Sequence, residues 1–543
     1  MKTEKMTRPN ILFIQTDQLT ALALASYGNQ VCQTPHLDHL AAQGVVFERA
    51  YCNYPLCSPS RFSMLTGKLA SEVGAFDNGC EFPAALPTFV HYLRQLGYQT
   101  CLSGKMHFVG PDQLHGFEER LTADIYPADF QWTASWGEAE TPDFVTDSRI
   151  VTEAGVCTSS VQLEYDNLVA FQARQKLLDL AKEAKGAQDD QNERPFFLAV
   201  SFTHPHDPFL CPPEAWRRYD DIEIDLPRVP KLADDAPRKP GEQDPHTYRI
   251  MKNSGLLGTD FSDEQLRHTR RGYYGAISYI DEQVGMLRDT LRQTGLEENT
   301  VIIFTSDHGE MLGERGLWKK SHFFEPALRV PLILQGPNLP AGQRLQTLAS
   351  LVDLFPTILS LANHGRLPTL VEPIAGDDLT QFISTEAPER LICAEYLAEN
   401  ALAPMLMVRQ GDYKYVHSEG YLTMLFDLAT DPLELKNLAG QGTEIEHKLA
   451  ALVQQRWEPA ALTEQILLSQ RRRQLIHAAL SQGQATVWDF EAADQKNARW
   501  YRGQANYNDW AFDYGSSGIS SQSGAFASKN SSICHSERNE ESP

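Results

Sequence analysis

The sequence predicts an α/β fold with a large mixed, mostly parallel sheet flanked by helices, followed by a smaller C-terminal α+β domain. Continuous apolar runs such as Asn10–Gln18 and Thr300–Thr305 are typical of buried parallel strands, and a carboxylate stands at or just after the end of each. Long segments of helical periodicity, Leu163–Glu183 and Arg267–Thr294, lie between such runs. After about residue 375 short strands without long intervening helices replace this pattern.

The first part of the chain alternates strands and helices. Strands are predicted at Asn10–Gln18, Val45–Phe47, Tyr98–Leu102, Pro195–Phe202 and Thr300–Thr305. Helices are predicted at Thr34–Gly44, Leu86–Leu96, Leu163–Glu183 and Arg267–Thr294. The segments 116–157 and 209–260 show no clear period, and we expect the first to cap a site and the second to be irregular and in part a lid.

The second part has the pattern of a small antiparallel sheet with one long helix. Strands are predicted at Ile392–Tyr396, Ala403–Val408, Tyr413–Val416 and Met424–Leu428, and a helix at Glu444–Arg473. We therefore expect a catalytic domain over residues 8–375, a smaller domain over 376–475, and a C-terminal extension over 476–514. The Ser/Gly-rich and then charged stretch 515–543 has little to bury and is predicted to be disordered.

Composition excludes several classes of partner. The 543 residues carry a formal net charge of −23, which argues against binding to nucleic acid or to anionic membrane surfaces. It does not exclude a small anionic ester, and it suits an ester that also carries a cation. No stretch approaches the length of a membrane span.

The cysteines and the N-terminus indicate a compartment. Nine cysteines are an odd number, and they are scattered without a C-x-x-C pair, as expected of reduced thiols. The segment 1–10 is short and polar, and the apolar run after it is too short for the core of a secretion signal. The prediction is a cytoplasmic protein.

The stretch Cys57-x-Pro59-x-Arg61 is the first candidate for chemistry. Pro59 bends the chain and the residues that follow favour a helix, so Cys57 is predicted at or near a helix N-terminus. Backbone N–H groups and the helix dipole favour an anion there, and Arg61, one turn on, adds a cation. The alternative is a small buried cysteine beside a turn, where free cysteines usually lie.

Three polar residues that follow strands form a candidate metal site. Asp17 ends the first strand, and Asp307 with His308 follows Thr300–Thr305. Two carboxylates and an imidazole make a mixed oxygen and nitrogen set, in which oxygen favours Ca²⁺ or Mg²⁺. Taken alone, an Asp after a strand is more often a turn or capping residue.

Further cations and imidazoles lie near strand ends. Lys105 and His107 follow a strand and a glycine, and two prolines brace His204 and His206 in a rigid loop. Lys320 lies downstream of the Asp307 segment, where it would hold oxyanion oxygens or a leaving group. Lys105 and His107, taken alone, are more often surface groups.

The segment 116–157 is rich in aromatic and acidic residues. Tyr126, Phe130 and Trp132 alternate with Asp124 and Asp129. Exposed aromatics with carboxylates form cages for quaternary ammonium groups. An insertion that packs its own aromatics explains the composition equally well.

Together these motifs resemble the sulfatase family of the alkaline-phosphatase superfamily. The resemblance rests on their order along the chain: Asp17, Cys57-x-Pro59-x-Arg61, Gly104-Lys105-x-His107, Pro205-His206-x-Pro208, Asp307-His308-Gly309, Lys320, Phe324-Glu325 and Arg329-Val330-Pro331. The stretches 53–57, 101–113, 124–130 and 201–208 are most similar to the choline sulfatases within that family. The resemblance covers residues 8 to about 490 and implies an alkaline-phosphatase-like fold.

The resemblance implies a formylglycine-dependent sulfuric ester hydrolase that converts choline sulfate to choline and sulfate. A maturation enzyme would convert Cys57 to formylglycine (3-oxoalanine), and the hydrate of that aldehyde would attack sulfur. A divalent metal would polarise the sulfate, with Ca²⁺ favoured and Mg²⁺ or Mn²⁺ as alternatives. Its implied ligands are Asp17, Gln18, Asp307 and His308.

The resemblance also implies roles for the remaining motif residues. Arg61 would position the formylglycine, Lys105 would bind sulfate, and His107 would be the base that releases sulfate. His206 and Lys320 would assist the leaving oxygen, with His204 as the substitute if the loop is offset. Trp132 and Glu395 match an aromatic and a carboxylate expected near the choline group.

The chain differs from the choline-sulfatase pattern in two places. Val145–Arg149 replaces an expected Trp-Trp-Tyr-His-Asn stretch, and Asn506 stands where an acidic residue is expected. The alternatives are therefore a sulfatase for another small ester, a phosphonate monoester or phosphodiester hydrolase, or a quaternary-ammonium binding protein without catalysis. The segment Thr486–Tyr514 is predicted to help form a homo-oligomer, a dimer or tetramer.

Overall fold

One eight-stranded sheet organises the chain up to residue 350. The computed structural model of the protein describes residues 8–136, 148–186, 194–231, 245–420, 422–484 and 488–490. The strands of the large sheet are β1 (Asn10–Thr16), β2 (Val45–Tyr51), β3 (Gln99–Gly104), β4 (Glu119–Arg120), β6 (Phe196–Ser201), β8 (Thr300–Ser306), β9 (Leu332–Gln335) and β10 (Gln343–Ser350). Two short strands, β5 (Gly155–Val156) and β7 (Leu210–Cys211), pair separately.

The sheet is mixed but mostly parallel, as predicted. Its order is β10-β2-β9-β8-β1-β6-β3-β4, and only β9 runs antiparallel to its neighbours. The central strands β1, β6 and β8 are almost entirely buried because helices cover both faces of such sheets. The register pairs Thr16 with Ser306, so Asp17 and Asp307 follow adjacent, paired strand ends.

Helices occupy the connections between strands. They are α1 (Pro35–Ala42), α2 (Cys57–Thr66), α3 (Ala70–Val73), α4 (Phe89–Gln95), α5 (Arg149–Thr152), α6 (Val161–Gly186), α7 (Pro213–Arg217), α8 (Pro245–Asn253), α9 (Asp263–Thr294), α10 (Glu325–Leu328), α11 (Leu354–Ala362), α12 (Glu444–Arg456) and α13 (Pro459–Leu480). The predicted long helices correspond to α6 and α9, each within a few residues at both ends. None of the described helices is both long and apolar enough to cross a membrane.

A four-stranded antiparallel sheet follows, as predicted. Its strands are β11 (Leu391–Tyr396), β12 (Met405–Gln410), β13 (Tyr413–His417) and β14 (Met424–Asp427), paired in chain order. A buried ionic cluster joins it to the first sheet, since Lys414 Nζ contacts Glu325 at 2.9 Å and Arg409 bonds the Tyr51 hydroxyl. The boundary predicted at residue 375 falls in the loop between α11 and β11 and stays a prediction, while the tail 515–543 lies outside the described residues.

The single helix predicted over Glu444–Arg473 is wrong. The chain forms two helices instead, α12 and α13, separated by Trp457 and Glu458. Proline disfavours the helical conformation of the residue before it, and Glu458, which precedes Pro459, has φ −112° and ψ 89°. Pro459 then starts α13 at a position where no backbone donor is needed.

Candidate active site

Cys57 begins helix α2, as the sequence predicted. Leu56 is the N-cap and brings no side-chain bond of its own, and every residue of α2 is buried. The Asn78 side chain accepts a hydrogen bond of 3.0 Å from the Ser58 backbone, which satisfies one free donor of the first turn. The nucleophile candidate is therefore held at a buried helix N-terminus that favours an anion.

Four buried side chains converge on one point at the carboxyl edge of the sheet. Ligating atoms of Asp17, Cys57, Asp307 and His308 all lie within 4.8 Å of one another. The Cys57 thiol lies 3.3 Å from His308 Nε2 and 3.7 Å from Asp17 Oδ1. The strand register explains the meeting of the two aspartates, because β1 and β8 are adjacent and parallel.

The protonation of this cluster suits a divalent cation. The Nδ1–H of His308 donates to the Gly309 carbonyl at 3.1 Å, which leaves Nε2 as the nitrogen that faces Asp17 and Cys57. Burial lowers the pKa of His308 below its ordinary value, so the ring is neutral. Burial favours the neutral acid of Asp17, but Lys105 and other nearby cations hold its pKa well below the usual range. Two carboxylates and a neutral imidazole match a hard cation.

Arg61 is fully buried and ties the cluster together. Its Nε donates to Asp307 at 2.9 Å, and its Nη1 donates to the Lys105 carbonyl and the Ser201 hydroxyl at 2.8 Å each. Its Nη2 lies 3.9 Å from Asp17. Arg61 thus connects α2 to the ends of β3, β6 and β8 and contributes a permanent positive charge to the site.

Lys105 and His107 reach the same cluster from the end of β3. Lys105 Nζ contacts Asp17 and lies 4.0 Å from the centre of the Tyr126 ring. His107 has φ 59°, and its backbone N–H donates to Asp124 at 2.8 Å. Both ring nitrogens of His107 are buried with no hydrogen-bond partner in the structure. Burial, with a contribution from Lys105, lowers the pKa of His107 well below its ordinary value, so the ring is neutral.

His206 and Lys320 form a hydrogen-bonded pair, and their role in assisting the leaving oxygen stays a prediction. The Lys320 ammonium donates to His206 Nε2 at 2.8 Å, while His206 Nδ1–H donates to the Asp207 carbonyl at 2.9 Å. Burial favours neutral Lys320, but Cys57, Asp17 and other acidic neighbours raise its pKa above the ordinary value, so it keeps its proton.

Gln18 faces Lys320 rather than completing the four-residue cluster. Its side-chain oxygen accepts from Lys320, and its side-chain nitrogen donates to Glu310 at 2.6 Å and Asp207 at 3.2 Å. These partners fix the orientation of the carboxamide, and φ of Gln18 is 66°. The role of Gln18 as a metal ligand stays a prediction.

Two predicted substrate-binding residues are not brought into this network. His204 bonds Asp166 at 2.7 Å through one ring nitrogen and the Leu210 carbonyl at 3.2 Å through the other, so neither nitrogen is left for a substrate. The Glu395 carboxylate is buried and accepts hydrogen bonds from Ser71 and Trp457. No contact in the described part of the chain joins Glu395 to the Cys57 cluster.

Aromatic side chains line the side of the cluster next to His107. The Trp132 ring lies 5.3 Å from the His107 ring and 4.8 Å from the Tyr126 ring, measured between centres. Tyr126, Trp132 and Phe130 are buried rather than exposed, and a role for Trp132 near a quaternary ammonium group stays a prediction. The acidic residues have structural partners: Asp124 pairs with Arg120, and Asp129 caps a short 3₁₀ helix.

Sequence reasoning missed the residues that support the site. Asp207 pairs with Lys319 at 2.9 Å, and Glu310 accepts a hydrogen bond of 2.7 Å from the Lys319 backbone. Both carboxylates also accept hydrogen bonds from the Gln18 side chain. Their position inside the His206 and Asp307 motifs was a usable signal, whereas nothing in the sequence singled out Asn78. The altered positions 145–147 and Asn506 lie outside the described residues.

Comparison with known proteins decides the family. The Sulfatase family description matches residues 9–364, and that of the N-sulphoglucosamine sulphohydrolase C-terminal region matches 313–458. The chain belongs to the sulfatase family. A third description, the choline sulfatase enzyme C terminal, matches residues 464–513 of this sulfatase. The predicted family and class of enzyme are confirmed.

Individual relatives agree with this assignment. The sulfatase is 42% identical over 506 residues to a choline-sulfatase of Rhizobium meliloti, covering 92% of this chain and 96% of the relative. It is 28% identical to an N-acetylglucosamine-6-O-sulfatase of Bacteroides thetaiotaomicron, covering 81% and 84% of the two chains. Among solved structures, the phosphonate monoester hydrolase of Agrobacterium radiobacter matches with a TM-score of 0.64 and 26% identity, covering 85% and 96%. The predicted fold class is confirmed.

Proposed function

We propose that this sulfatase hydrolyses choline sulfate to choline and sulfate. The observation that carries the proposal is the full-length similarity to a choline-sulfatase, 42% identity over 92% of the chain. The choline-sulfatase C-terminal match at 464–513 extends that similarity beyond the part shared with other sulfatases. The site geometry supports it, since a buried cysteine, two carboxylates and three cations surround one point.

Two groups would complete the site. Formylglycine, made from Cys57 by a separate maturation enzyme, would supply as its hydrate the oxygen that attacks sulfur. Asp17, Asp307 and His308, with Gln18 as a further candidate, would hold a divalent cation that polarises the sulfate oxygens. The donor set favours Ca²⁺, with Mg²⁺ or Mn²⁺ as alternatives.

The chain's own cations would bind the sulfate group. Lys105 contacts Asp17, and Lys320 interacts electrostatically with Asp17 and Cys57, in a buried setting where a charge interacts more strongly than in water. Arg61 lies behind them and holds Asp307 and the Lys105 loop in place. We propose that Lys105 and Lys320 contact sulfate oxygens, while Arg61 positions the residue at 57.

Two sites would move protons. As the sulfur–oxygen ester bond breaks, the leaving choline oxygen takes a proton from Lys320, whose partner His206 stabilises the neutral amine that results. Neutral His107, whose ring nitrogens have no hydrogen-bond partner among the described residues, would accept the proton that must leave the residue at 57 when sulfate is released. Lys320 would thus act as the acid and His107 as the base.

The aromatic wall would recognise the trimethylammonium group. Tyr126 and Trp132 lie beside His107, and the face of an aromatic ring attracts a quaternary ammonium ion. The net charge of −23 favours approach of a cation to the molecule. His204 and Glu395 are not part of this proposal because their polar atoms are bonded elsewhere.

Steady-state hydrolysis of three substrates tests the proposal: choline sulfate, phenyl sulfate and a phosphodiester of phenol. We expect the highest kcat/KM for choline sulfate, and loss of all activity in Cys57→Ala. Cys52→Ala is the matched control, because Cys52 is also buried but lies outside the cluster, so that variant should keep its activity. Faster cleavage of the diester would favour a phosphonate monoester or phosphodiester hydrolase, the alternative that the Agrobacterium structure supports.

Other outcomes of that assay identify the remaining alternatives. Preference for phenyl sulfate over choline sulfate would indicate a sulfatase for another small ester. Binding of choline without any turnover, together with an unmodified Cys57, would indicate a binding protein. The presence of Lys105, His107 and His206 together with Cys57 argues against a binding protein.

Location and assembly are also proposals. All eight cysteines in the described residues are unpaired, which fits a reducing compartment such as the cytoplasm. We propose the domain division 8–375, 376–475 and 476–514, since the large sheet ends at Ser350 and the small sheet begins at Leu391. A homo-oligomer formed through 486–514 would bury a segment that lies almost entirely outside the described residues.

A further inference from the structure

Helix α13 contacts the segment that carries Trp132. The Gln470 side chain accepts a hydrogen bond of 2.9 Å from the Trp136 backbone, and Arg473 Nη1 donates to the Thr133 hydroxyl at 3.0 Å. Both residues of α13 are buried. They belong to the stretch matched by the choline-sulfatase C-terminal description rather than to the part shared by sulfatases in general. The helix therefore touches the aromatic wall within one residue of Trp132.

A buried ion pair anchors this contact. Arg473 donates to both oxygens of Asp77, at 2.6 Å and 2.9 Å, and the pair is almost inaccessible to solvent. Asp77 also accepts from the Gly79 backbone at 2.9 Å and from the Ala134 backbone at 3.1 Å. The two-pronged geometry fixes the position of the Asp77 carboxylate. The carboxylate therefore clamps the loop at 77–79 to the chain on the C-terminal side of Trp132.

The same loop touches both halves of the site. A Cβ atom at Gly79 would lie 2.5 Å from the Trp132 carbonyl carbon, so the two backbones are in direct contact. One residue earlier, Asn78 bonds the first turn of the helix that begins at Cys57. The loop thus sets the distance between the Trp132 wall and the nucleophile.

We propose that Arg473 is a positioning residue that sets selectivity for esters of quaternary ammonium alcohols. Through Asp77 and Thr133 it holds the Trp132 backbone at a fixed distance from the reacting sulfate. Replacement would let the wall move and weaken binding of the cationic end while leaving the sulfate cluster intact. The inference rests on the proposed function, because it assigns the cationic end of the substrate to Trp132.

The test compares the KM and kcat of Arg473→Lys and Arg473→Met on choline sulfate and on phenyl sulfate, whose phenyl group is uncharged. Loss of a cation–aromatic contact is expected to raise KM for choline sulfate about tenfold in Arg473→Met, with KM for phenyl sulfate changed less than about twofold. Arg473→Lys keeps the charge without the two-pronged bond and should fall between the wild type and Arg473→Met. Arg472→Met, at an exposed position of the same helix, is the matched control and should leave both substrates unchanged.

A second variant tests the same contact without the ion pair. Gly79→Ala adds a methyl group against the Trp132 backbone and should reproduce the rise in KM for choline sulfate. Urea unfolding midpoints confirm that each variant is folded before its kinetics are interpreted. Equal losses on both substrates in Arg473→Met and Gly79→Ala would overturn the inference and leave the proposed function standing. A wild-type enzyme that hydrolyses phenyl sulfate but not choline sulfate would overturn both.

Discussion

Replacement of Asp124 by Asn should damage both stability and catalysis. One carboxylate oxygen of Asp124 accepts from the backbone of Met106 at 3.0 Å, from the backbone of His107 at 2.8 Å, and from Arg120 Nη2 at 2.8 Å. The carboxylate is buried, and it holds a loop in which His107 has φ 59°, a conformation that costs a non-glycine residue about 1–2 kcal/mol.

The structure allows the magnitude to be worked out in two ways. Loss of the charge leaves buried Arg120 without its ionic partner, and such a change costs about 3–5 kcal/mol. Burial favours the neutral acid, yet Arg120 and other groups lower the pKa of Asp124 to about 2 from 3.8. That difference corresponds to roughly 2–3 kcal/mol of stability, present at pH 7 and lost as pH falls from about 4 to 2. We therefore expect Asp124→Asn to lower the free energy of unfolding by about 2–5 kcal/mol.

Urea unfolding followed by fluorescence measures the first effect, and kcat on phenyl sulfate measures the second. We expect kcat to fall at least tenfold, because relaxation of the strained His107 loop moves the proposed base by more than the reaction tolerates. Asp129→Asn is the control, since Asp129 only caps a 3₁₀ helix in the same segment and its loss should cost about 1 kcal/mol or less. A change in unfolding free energy below about 1 kcal/mol would show that Asp124 does not stabilise the fold as its contacts indicate, and an unchanged kcat would show that it does not position His107.

Three further predictions follow from the site. Trp132→Ala should raise KM for choline sulfate about tenfold, whereas KM for phenyl sulfate should change little. Equal increases in both KM values would show that Trp132 does not bind the cation. Lys320→Met should lower kcat on choline sulfate by about 10²- to 10⁴-fold. The loss should be smaller on phenyl sulfate, because phenolate is a good leaving group that does not need a proton. Equal losses on both substrates would contradict a role of Lys320 as proton donor. Because the pKa of His107 is depressed, His107 takes up a proton only well below pH 6.5, so kcat/KM for phenyl sulfate should stay level as pH falls to 6.5; an acid limb above that pH would contradict a neutral base.

The fold was predictable where the hydrophobic pattern is continuous. Buried strands such as β1 and β8 contain only apolar residues between their first residue and their last two, and their alignment followed from the rule that parallel strands present functional groups at one edge. The break at Pro459 was readable as well, because proline separates α12 from α13 by its own stereochemistry. The sequence analysis nevertheless predicts one helix, because helical periodicity is present on both sides of Pro459.

The chemistry of the site was predictable, but the residues that hold its side chains in place were not. Motif residues such as Asp17, Cys57 and His308 carry their own signal, since their types and spacing match a known reaction. Contacts between residues far apart in sequence, such as Asp77 with Arg473, leave no local sequence pattern. Neither residue type is unusual in its own segment. His204 is the converse case, a motif residue whose two ring nitrogens both bond within the protein, and its substrate-binding role stays a prediction.

The mass of the tryptic peptide 50–61, taken from enzyme purified from its native host and active on choline sulfate, shows whether Cys57 is converted to formylglycine. This peptide contains both Cys52 and Cys57, so Cys52 serves as an internal control. Conversion of Cys57 to formylglycine removes one sulfur and two hydrogens and adds one oxygen. We expect a peptide with a single thiol, at Cys52, and an aldehyde at 57. An active enzyme whose peptide retains both thiols would contradict it.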